Sequence, residues 1–311
     1  MTAPFAHIAI IGLGLQGGSI GLAVQHYLPQ THTTGYDLDP ATRTRAAQRG
    51  LVHQVCDSAA KAVAGADLVI FCVPPGVMGA AAAQVAHAIP KGAVVSDVGS
   101  SKVAIAKALV EALPDHTIIP AHPVAGTENS GPDAGFASLF KGRWCIITPL
   151  GPDLAEARDD AAEARLAQFW KSLGANVEFM DPAHHDRVLA VTSHLPHLIA
   201  YTIVGTASDL EEVTRSEVIK YSAGGFRDFT RIAASDPTMW RDVFLSNKDA
   251  VLEMLQTFSE DLSELQKAIR KGDGQTLFDH FTRTRAIRRS IIEEGQDDAR
   301  PDFGRADHGA E

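Results

Sequence analysis

The sequence predicts an α/β protein, with a doubly wound, mostly parallel sheet in an N-terminal domain and an all-α C-terminal domain. Through the first 180 residues, apolar runs rich in β-branched residues alternate with alanine-rich helical patterns such as SIGLAVQHYL. Several of these runs, LVIFCV among them, are apolar throughout, as expected of parallel strands buried on both faces. After Asp181 no convincing strand pattern remains, and helical spacing takes over.

Seven segments have the composition of strands. They are His7–Ile11, Thr34–Asp37, Leu68–Val73, Ala93–Asp97, Thr117–Ala121, Trp144–Thr148 and Asn176–Met180. We therefore expect an α/β domain over residues 1–180 and a helical domain over 181–293. Residues 294–311 are polar and interrupted by Pro and Gly, which predicts a disordered tail.

Two helix-start signals mark the second domain. Asp181 is an N-cap candidate with Pro182 at the first helical position, and Asp236–Pro237 repeats the signal. From Met239 to Ile269, apolar residues keep helical spacing for about eight turns of 3.6 residues. Such a long apolar face predicts one helix that pairs with a second subunit.

Composition excludes several classes of function. The net charge of -10 argues against non-specific nucleic-acid binding, which needs clustered cations. One cluster of arginines lies at helical spacing, which indicates a solvated helix face or a subunit contact and not a nucleic-acid site. Its members are Arg283, Arg285, Arg288 and Arg289. The cysteines lack metal or redox spacing, being Cys56, Cys72 and Cys145. Because we see neither a signal peptide nor an apolar run of about 20 residues, we expect a cytoplasmic protein without a membrane span.

A glycine motif between the first strand and its helix predicts dinucleotide binding. Gly12, Gly14 and Gly17 have the GxGxxG spacing, and Asp37 closes the next strand about 20 residues later. This is the fingerprint of a Rossmann domain, whose helix N-terminus faces the pyrophosphate. A glycine-rich turn without a ligand is the alternative. The predicted cofactor-binding residues are Gly12, Leu13, Gly14, Leu15, Gln16, Gly17, Asp37, Val73, Pro74 and Asp97.

Asp37 also favours NAD over NADP. Its carboxylate can accept both ribose hydroxyls of NAD, whereas NADP would place a phosphate beside it. Two like charges about 4 Å apart cost on the order of 4 kcal/mol at a surface-like dielectric, and less after screening by salt. Asp39 is close by, but it precedes Pro40 and is better explained as a helix cap.

The segment AHPVAGTENSG follows the carboxyl end of a strand, where ligands bind in open α/β sheets. The preceding strand ends in SDVGSSK, which brings Ser96, Asp97, Ser100 and Ser101 to the same edge. His122 is the candidate general base, because imidazole can take a hydroxyl proton near neutral pH. The residues alone leave a structural histidine before Pro123 as an equal alternative.

Five motifs in this order resemble the prephenate/arogenate dehydrogenase family of tyrosine biosynthesis: GLGLQGGS, DVGSSK, HPVAGTENSG, DRVLAVTSHLPH and FRDFTRIAASDPTMWRD. The resemblance runs from about residue 6 to about residue 290. It implies an NAD(P)-dependent oxidative decarboxylation in a homodimer, with the active site between the Rossmann domain and a helical dimerisation domain. Prephenate and arogenate differ only by a keto against an amino group remote from the reacting carbon, so both stay as substrates.

The resemblance also implies roles for individual residues. His122 would take the proton of the ring C4 hydroxyl while hydride leaves C4 for the nicotinamide. Ser101 would position His122 and the substrate, Arg231 would grip the ring carboxylate, and His197 would lie near the substrate's side chain. The remaining substrate-binding candidates are Thr127, Glu128, Asp228 and Trp240.

Each role has an alternative. Asp228 could simply pair with Arg227 or Arg231, and Trp240 could be ordinary helix core. His194 and His197 are spaced for a metal, but no third ligand is spaced to join them, so no metal is expected.

Two other functions stay open at this point. One is a β-hydroxyacid dehydrogenase, for which Lys220 is the only mid-domain lysine and HPVAGTE has no explanation. The other is an NAD-binding sensor without turnover. Any tyrosine inhibition is expected to be competitive at the active site, because the sequence leaves no room for a full regulatory domain.

Overall fold

The computed structural model describes residues 3–154, 159–209 and 224–293. The chain forms two compact units, Met1–Leu252 and Glu253–Glu311. The predicted tail at 294–311 and Lys220 lie outside the described residues. The two units divide after Leu252, whereas the sequence predicts a domain boundary at residue 180. That boundary stays a prediction.

The first unit contains a six-stranded parallel sheet of order β3-β2-β1-β4-β5-β6, the Rossmann order. Its strands are β1 (His7–Ile11), β2 (His32–Tyr36), β3 (Gln54–Val55), β4 (Leu68–Phe71), β5 (Val94–Asp97) and β6 (Thr117–Ile118). The predicted fold class is confirmed. The sequence missed only β3 in this sheet, because two residues are too few to show a period.

Helices cover both faces of this sheet. They are α1 (Leu15–Tyr27), α2 (Pro40–Arg49), α3 (Ala59–Val63), α4 (Met78–Val85), α5 (Val103–Ala112) and α6 (Asp160–Ser172). Successive residues of β1 enter opposite cores: Ile8 and Ile10 belong to one apolar cluster, Ala9 and Ile11 to the other. This is why the strand is apolar at every position.

The strand predicted at Thr117–Ala121 is wrong as a single element. It divides at Pro120 into β6 and a separate strand, β7 (Ala121–Pro123). Proline has no N–H to donate to a sheet ladder, so the chain leaves the first sheet there. β7 then pairs antiparallel with β8 (Trp144–Ile147), and β8 pairs parallel with β9 (Asn176–Phe179). His122 is the middle residue of β7, the edge strand of this second sheet, and lies opposite Ile146.

No strand follows β9 in the described part of the chain, as expected. The helices of this region are α7 (Pro182–Leu189), α8 (Leu195–Asp209), α9 (Gly224–Thr230), α10 (Pro237–Ser246), α11 (Lys248–Lys271) and α12 (Gly274–Glu293). Both predicted caps form, since Asp181 accepts from the N–H of His184 and Asp236 from that of Met239. The four arginines at helical spacing lie exposed on α12.

The single helix predicted from Met239 to Ile269 is wrong, because it breaks at Asn247. Helix α10 ends at Ser246 and α11 begins at Lys248. The side-chain amide of Asn247 turns inward and donates to the Asp186 carbonyl at 2.8 Å. The N–H of Asn247 still bonds to the carbonyl of Val243, so helical spacing continues through the break.

One continuous helix, Pro182–Asp209, is long and apolar enough to cross a membrane by length and composition alone. The sequence alone predicts no membrane span. The core helix of a globular domain can have the same length and composition. Within this helix, His185, Asp186 and His194 are buried polar residues.

Candidate active site

The glycine motif is shaped to admit a dinucleotide. A Cβ on Gly12 would lie 2.5 Å from the carbonyl oxygen of Cys72, and Gly12 has a φ of +100°. A Cβ on Gly17 would lie 1.9 Å from the carbonyl oxygen of Gly12. These two glycines therefore let β1, β4 and α1 meet. Gly14 differs, since a Cβ there would meet nothing within 4 Å, so it borders open space on the side where a pyrophosphate would approach.

The groups around this space suit the rest of the cofactor. Gly14 is the N-cap of α1, and no side chain caps that helix, which leaves its first N–H groups available for phosphate. Asp37 lies just past the end of β2, where its Oδ2 accepts from the N–H of Leu13 at 2.8 Å and its Oδ1 from the N–H of Asp39 at 3.0 Å. Each oxygen keeps a second lone pair for a ribose hydroxyl. Asp39 caps α2, as expected.

Gln16 connects the glycine motif to the loop after His122. Its Nε2 donates to the carbonyl oxygen of Ala125. Its Oε1 is buried and has no hydrogen-bond partner among the described residues. Val73 and Pro74, also predicted at the cofactor, follow β4 directly, and Val73 packs beside Gly12.

Asp97, predicted to bind the cofactor, has a side chain that is paired within the protein, and its role at the cofactor stays a prediction. It is fully buried and forms an ion pair of 2.5 Å with the equally buried Lys102. Lys102 Nζ also donates to the carbonyl of Ala121 at 2.8 Å, and the N–H of Ala121 points to Asp97 at 3.3 Å. Burial raises the pKa of Asp97, and the ammonium of Lys102 opposes that rise. The pair fixes the start of β7, next to His122.

His122 ends a chain of three hydrogen-bonded side chains that sequence reasoning missed. Its Nδ1 lies 2.9 Å from Nε2 of His185, and Nδ1 of His185 lies 2.9 Å from Oδ1 of Asp186. The Asp186 carboxylate also accepts from the backbone N–H groups of Lys102 at 2.6 Å and Val103 at 3.0 Å. It thereby caps α5 from a different helix.

This chain assigns the proton positions. Because a carboxylate only accepts, His185 carries its proton on Nδ1 and presents a lone pair on Nε2. His122 must then donate through Nδ1, which leaves its own Nε2 as a free acceptor. Burial, followed by the nearby His185, Lys102 and His194, holds the pKa of His122 well below its usual range. His122 is therefore neutral at neutral pH and able to act as a base.

Ser101 is buried near this chain but is not hydrogen-bonded to His122 in the described structure. Its Oγ lies 2.8 Å from Oγ of Ser246 on α10. Ser246 in turn donates to the carbonyl of Val243 at 3.0 Å. The proton of Ser101 therefore points to Ser246 in this arrangement.

The predicted carboxylate-binding arginine is already paired. Arg231 NH1 lies 2.7 Å from Oε2 of Glu128, and both side chains are partly exposed. The Arg231 side chain is 41% exposed, so it can be reached from solvent. Thr127 accepts from the N–H of Asn129, and Asp228 lies three residues before Arg231 at the end of α9.

His197 and Trp240 form a stacked pair. Their ring centroids are 3.6 Å apart with an interplanar angle of 23°. Nδ1 of His197 donates to the carbonyl of Ser193 at 2.8 Å, so its Nε2 is an acceptor. Burial lowers the pKa of His197, and the positive charge of Arg231 lowers it further. The Trp240 indole N–H is buried without a partner among described residues.

His194 lies in a π-helical turn, Ala190–His194, a distortion that is often found at functional sites. The side chain of Asn247 lies 3.1 Å from its Nδ1, and burial lowers its pKa to about 4. Its Nε2 is buried and lacks a hydrogen-bond partner in the described part of the chain. The described residues contain no group of three or more potential metal ligands around it.

Comparison with known families agrees with this geometry. Residues 20–179 match the family described as "Prephenate dehydrogenase, nucleotide-binding domain". Residues 181–283 match "Prephenate dehydrogenase, dimerization domain". The chain belongs to the prephenate dehydrogenase family. The resemblance stated from the five sequence motifs is thereby confirmed, and the protein is an oxidoreductase of this family.

Individual members of the prephenate dehydrogenase family cover nearly the whole chain. A cyclohexadienyl dehydrogenase of Zymomonas mobilis is 45% identical over 287 residues, which cover 92% of this chain and 96% of the relative. A prephenate dehydrogenase of Bacillus subtilis is 32% identical, covering 88% and 73%. The structure of Aquifex aeolicus prephenate dehydrogenase with hydroxyphenyl propionate and NAD+ superposes with a TM-score of 0.83 at 30% identity, covering 92% and 98%.

Proposed function

We propose that this protein oxidatively decarboxylates prephenate and arogenate with NAD, giving 4-hydroxyphenylpyruvate and tyrosine, with His122 as the general base. The observation that carries the proposal is the chain Asp186–His185–His122, which leaves a neutral imidazole with a free Nε2. Family membership supplies the reaction class. A β-hydroxyacid dehydrogenase and a sensor without turnover both leave this chain unexplained.

The proposed reaction needs one proton acceptor beside the reacting carbon. When bound, NAD supplies the nicotinamide ring that accepts the hydride from C4. Nε2 of His122 takes the proton of the C4 hydroxyl as the C4–H bond breaks. The bond between the ring and its carboxylate then breaks, its electron pair completes the aromatic ring, and carbon dioxide leaves. The proton returns from His122 to the phenolate oxygen.

Arg231 is proposed to bind the ring carboxylate. A guanidinium suits this task because its planar fork can donate two parallel hydrogen bonds. Because Oε2 of Glu128 lies 2.7 Å from the Arg231 guanidinium, the substrate carboxylate must bind Arg231 beside Glu128 or displace Glu128 from it. We therefore assign Glu128 the role of a gate that keeps Arg231 oriented before the substrate arrives. Thr127 lies in the same loop as Glu128, and Asp228 lies three residues before Arg231.

His197 and Trp240 are proposed to hold the substrate's side chain. Neutral His197 presents an acceptor at Nε2, which fits the ammonium group of arogenate as a donor. The keto group of prephenate has no proton to offer it. Both substrates can make the same contacts between their ring and His122 and Arg231. Arogenate makes one additional hydrogen bond, from its ammonium group to His197.

NAD is proposed as the cofactor. Its pyrophosphate would lie over Gly14 at the uncapped end of α1, and its adenosine ribose hydroxyls would bond to Asp37. A 2′-phosphate would approach a carboxylate that is fixed in place by two backbone N–H groups. We expect at least about tenfold lower kcat/KM with NADP, because like charges repel at this distance.

A homodimer in the cytoplasm is proposed as the working form. Residues 181–283 match a dimerization domain. Helices α11 and α12 expose large apolar side chains, namely Leu252, Leu262, Ile269, Phe278, Phe281 and Ile287. A second copy of the chain would cover such a face. With a net charge of -10 we propose no nucleic-acid partner. We propose no membrane partner either.

Replacing the base tests the proposal. His122→Asn should lower kcat by about 100-fold to 10,000-fold, the usual contribution of a general base, and leave the Kd of NADH nearly unchanged. His116→Asn is a matched control, because His116 bonds to the Ile89 carbonyl away from the site. A His122→Asn enzyme with wild-type kcat would remove His122 from the chemistry.

A further inference from the structure

We propose that Gln16 couples cofactor binding to substrate binding. One end of its side-chain amide holds the substrate loop, defined here as residues 124–131, and the other end accepts a hydrogen bond from bound NAD. The inference rests on the proposed function, since it assumes that NAD and the ring substrate share this site. It assigns a positioning role to a residue of the glycine motif.

The orientation of the amide is fixed by its contact with the loop. A carbonyl oxygen only accepts, so the group facing the Ala125 carbonyl must be Nε2. The oxygen Oε1 therefore points the other way. It is buried and has no hydrogen-bond partner among the described residues. A buried acceptor without a partner is destabilising, and a donor that arrives with a ligand would satisfy it.

The position of Gln16 narrows the identity of that donor. Gln16 occupies the first turn of α1, two residues beyond Gly14, where the pyrophosphate is expected. Oε1 of Gln16 cannot bond to an ionised phosphate, because both groups only accept hydrogen bonds. Its partner must therefore be a donor, such as a hydroxyl or an amide N–H. The adenosine ribose already faces Asp37, at the end of β2. The hydroxyls of the nicotinamide ribose and the carboxamide N–H groups are the donors on the half of NAD nearer to His122.

The consequence is a physical link between two ligands. The substrate loop follows His122 directly and carries Thr127 and Glu128. When NAD satisfies Oε1, the rotamer of Gln16 becomes fixed, and so does the Nε2 contact that holds Ala125. The loop is then ordered before the substrate arrives, so the substrate should bind more tightly to the NAD-bound enzyme. Because such coupling is reciprocal, the substrate should tighten NAD binding by the same factor.

The test measures binding, without turnover. The Kd of 4-hydroxyphenylpyruvate is measured by calorimetry with and without saturating NADH, and the ratio of the two values is the coupling factor. For the wild type we expect a factor of about 10, within the usual range for coupled sites. Gln16→Met keeps the side-chain volume but removes both polar ends, so its coupling factor should fall to about 2 or less.

Two further variants make the result specific. Gln16→Glu keeps an acceptor for NAD but cannot donate to Ala125, so it should lose coupling as well. It also serves if Gln16→Met fails to fold. Gln25→Met is the matched control, because Gln25 lies on the same helix and donates to the Gly50 and Leu51 carbonyls instead. It should keep the wild-type coupling factor.

The outcomes separate this inference from the proposed function. If the wild type binds neither NADH nor 4-hydroxyphenylpyruvate, the proposed function fails. If the wild type binds both but the coupling factor is near 1, or if both Gln16 variants keep the wild-type factor, the proposed function stands and the role of Gln16 is overturned.

Discussion

His185 should set the proton position on His122, and two substitutions distinguish this role from simple packing. In His185→Gln, Oε1 of the glutamine can occupy nearly the place of Nε2 and still accept from Nδ1–H of His122. In His185→Asn the shorter side chain does not reach. Both variants lose the imidazole. Glutamine keeps the acceptor for His122, whereas asparagine keeps at most a donor to Asp186, because its Nδ2 lies near the place of Nδ1.

The expected magnitude follows from that one hydrogen bond. A buried donor left without its partner costs about 1–3 kcal/mol. If the tautomer of His122 with its proton on Nε2 becomes favoured by this amount, the active form falls about 5-fold to 150-fold in population, and kcat falls with it. We therefore expect His185→Asn to lose about that much kcat, and His185→Gln to stay within about fivefold of the wild type.

The assay is the initial rate of NADH formation, measured from pH 5 to 9. The reaction needs neutral His122, so activity is lost as pH falls through the pKa of His122. Burial lowers this pKa first and His185 lowers it second, so the wild type should stay active at lower pH than an ordinary histidine would allow. Without His185 the acid limb should move to higher pH in both variants. Equal kcat values for His185→Gln and His185→Asn would refute the tautomer reasoning.

Four further substitutions test the cofactor and substrate contacts. Gly14→Ala should weaken NAD binding by about tenfold or more while leaving Tm unchanged, because its Cβ enters open space in the protein but meets the pyrophosphate. Gly17→Ala should lower Tm instead, because its Cβ would lie 1.9 Å from the Gly12 carbonyl oxygen. Arg231→Ala should raise KM at least about tenfold with little change in kcat, since it removes a charged contact of about 1.5–3 kcal/mol. Arg231→Lys should recover only part of this loss, because lysine lacks the planar fork. A drop in kcat alone would place Arg231 in the chemistry.

The sequence predicted those features that depend on local patterns. Strand β1, the glycine motif and the caps at Asp181 and Asp236 each follow from residues that are close together along the chain. Their physical causes, burial on both faces and unsatisfied helix N–H groups, act over a few residues. The same holds for the fold class, which follows from the alternation of strands and helices.

The features that the sequence did not predict depend on contacts between distant residues. Asp186 caps a helix that begins more than 80 residues earlier. The neighbouring His185 contacts His122, which lies more than 60 residues earlier in the chain. Asn247 breaks a periodic apolar run because its amide is needed by Asp186 and His194. Asp97 matched the cofactor pattern, but the burial of Lys102 beside it directs its carboxylate inward. Periodicity contains no information about such partners.

The most direct test of the proposed reaction is to incubate the purified protein with NAD and either prephenate or arogenate, and to measure NADH and carbon dioxide together. We expect both substrates to give one carbon dioxide per NADH. Arogenate should have a kcat/KM at least equal to that of prephenate, because neutral His197 accepts from its ammonium group. Tight NAD binding without NADH from either compound would contradict the proposed function and favour a sensor without turnover.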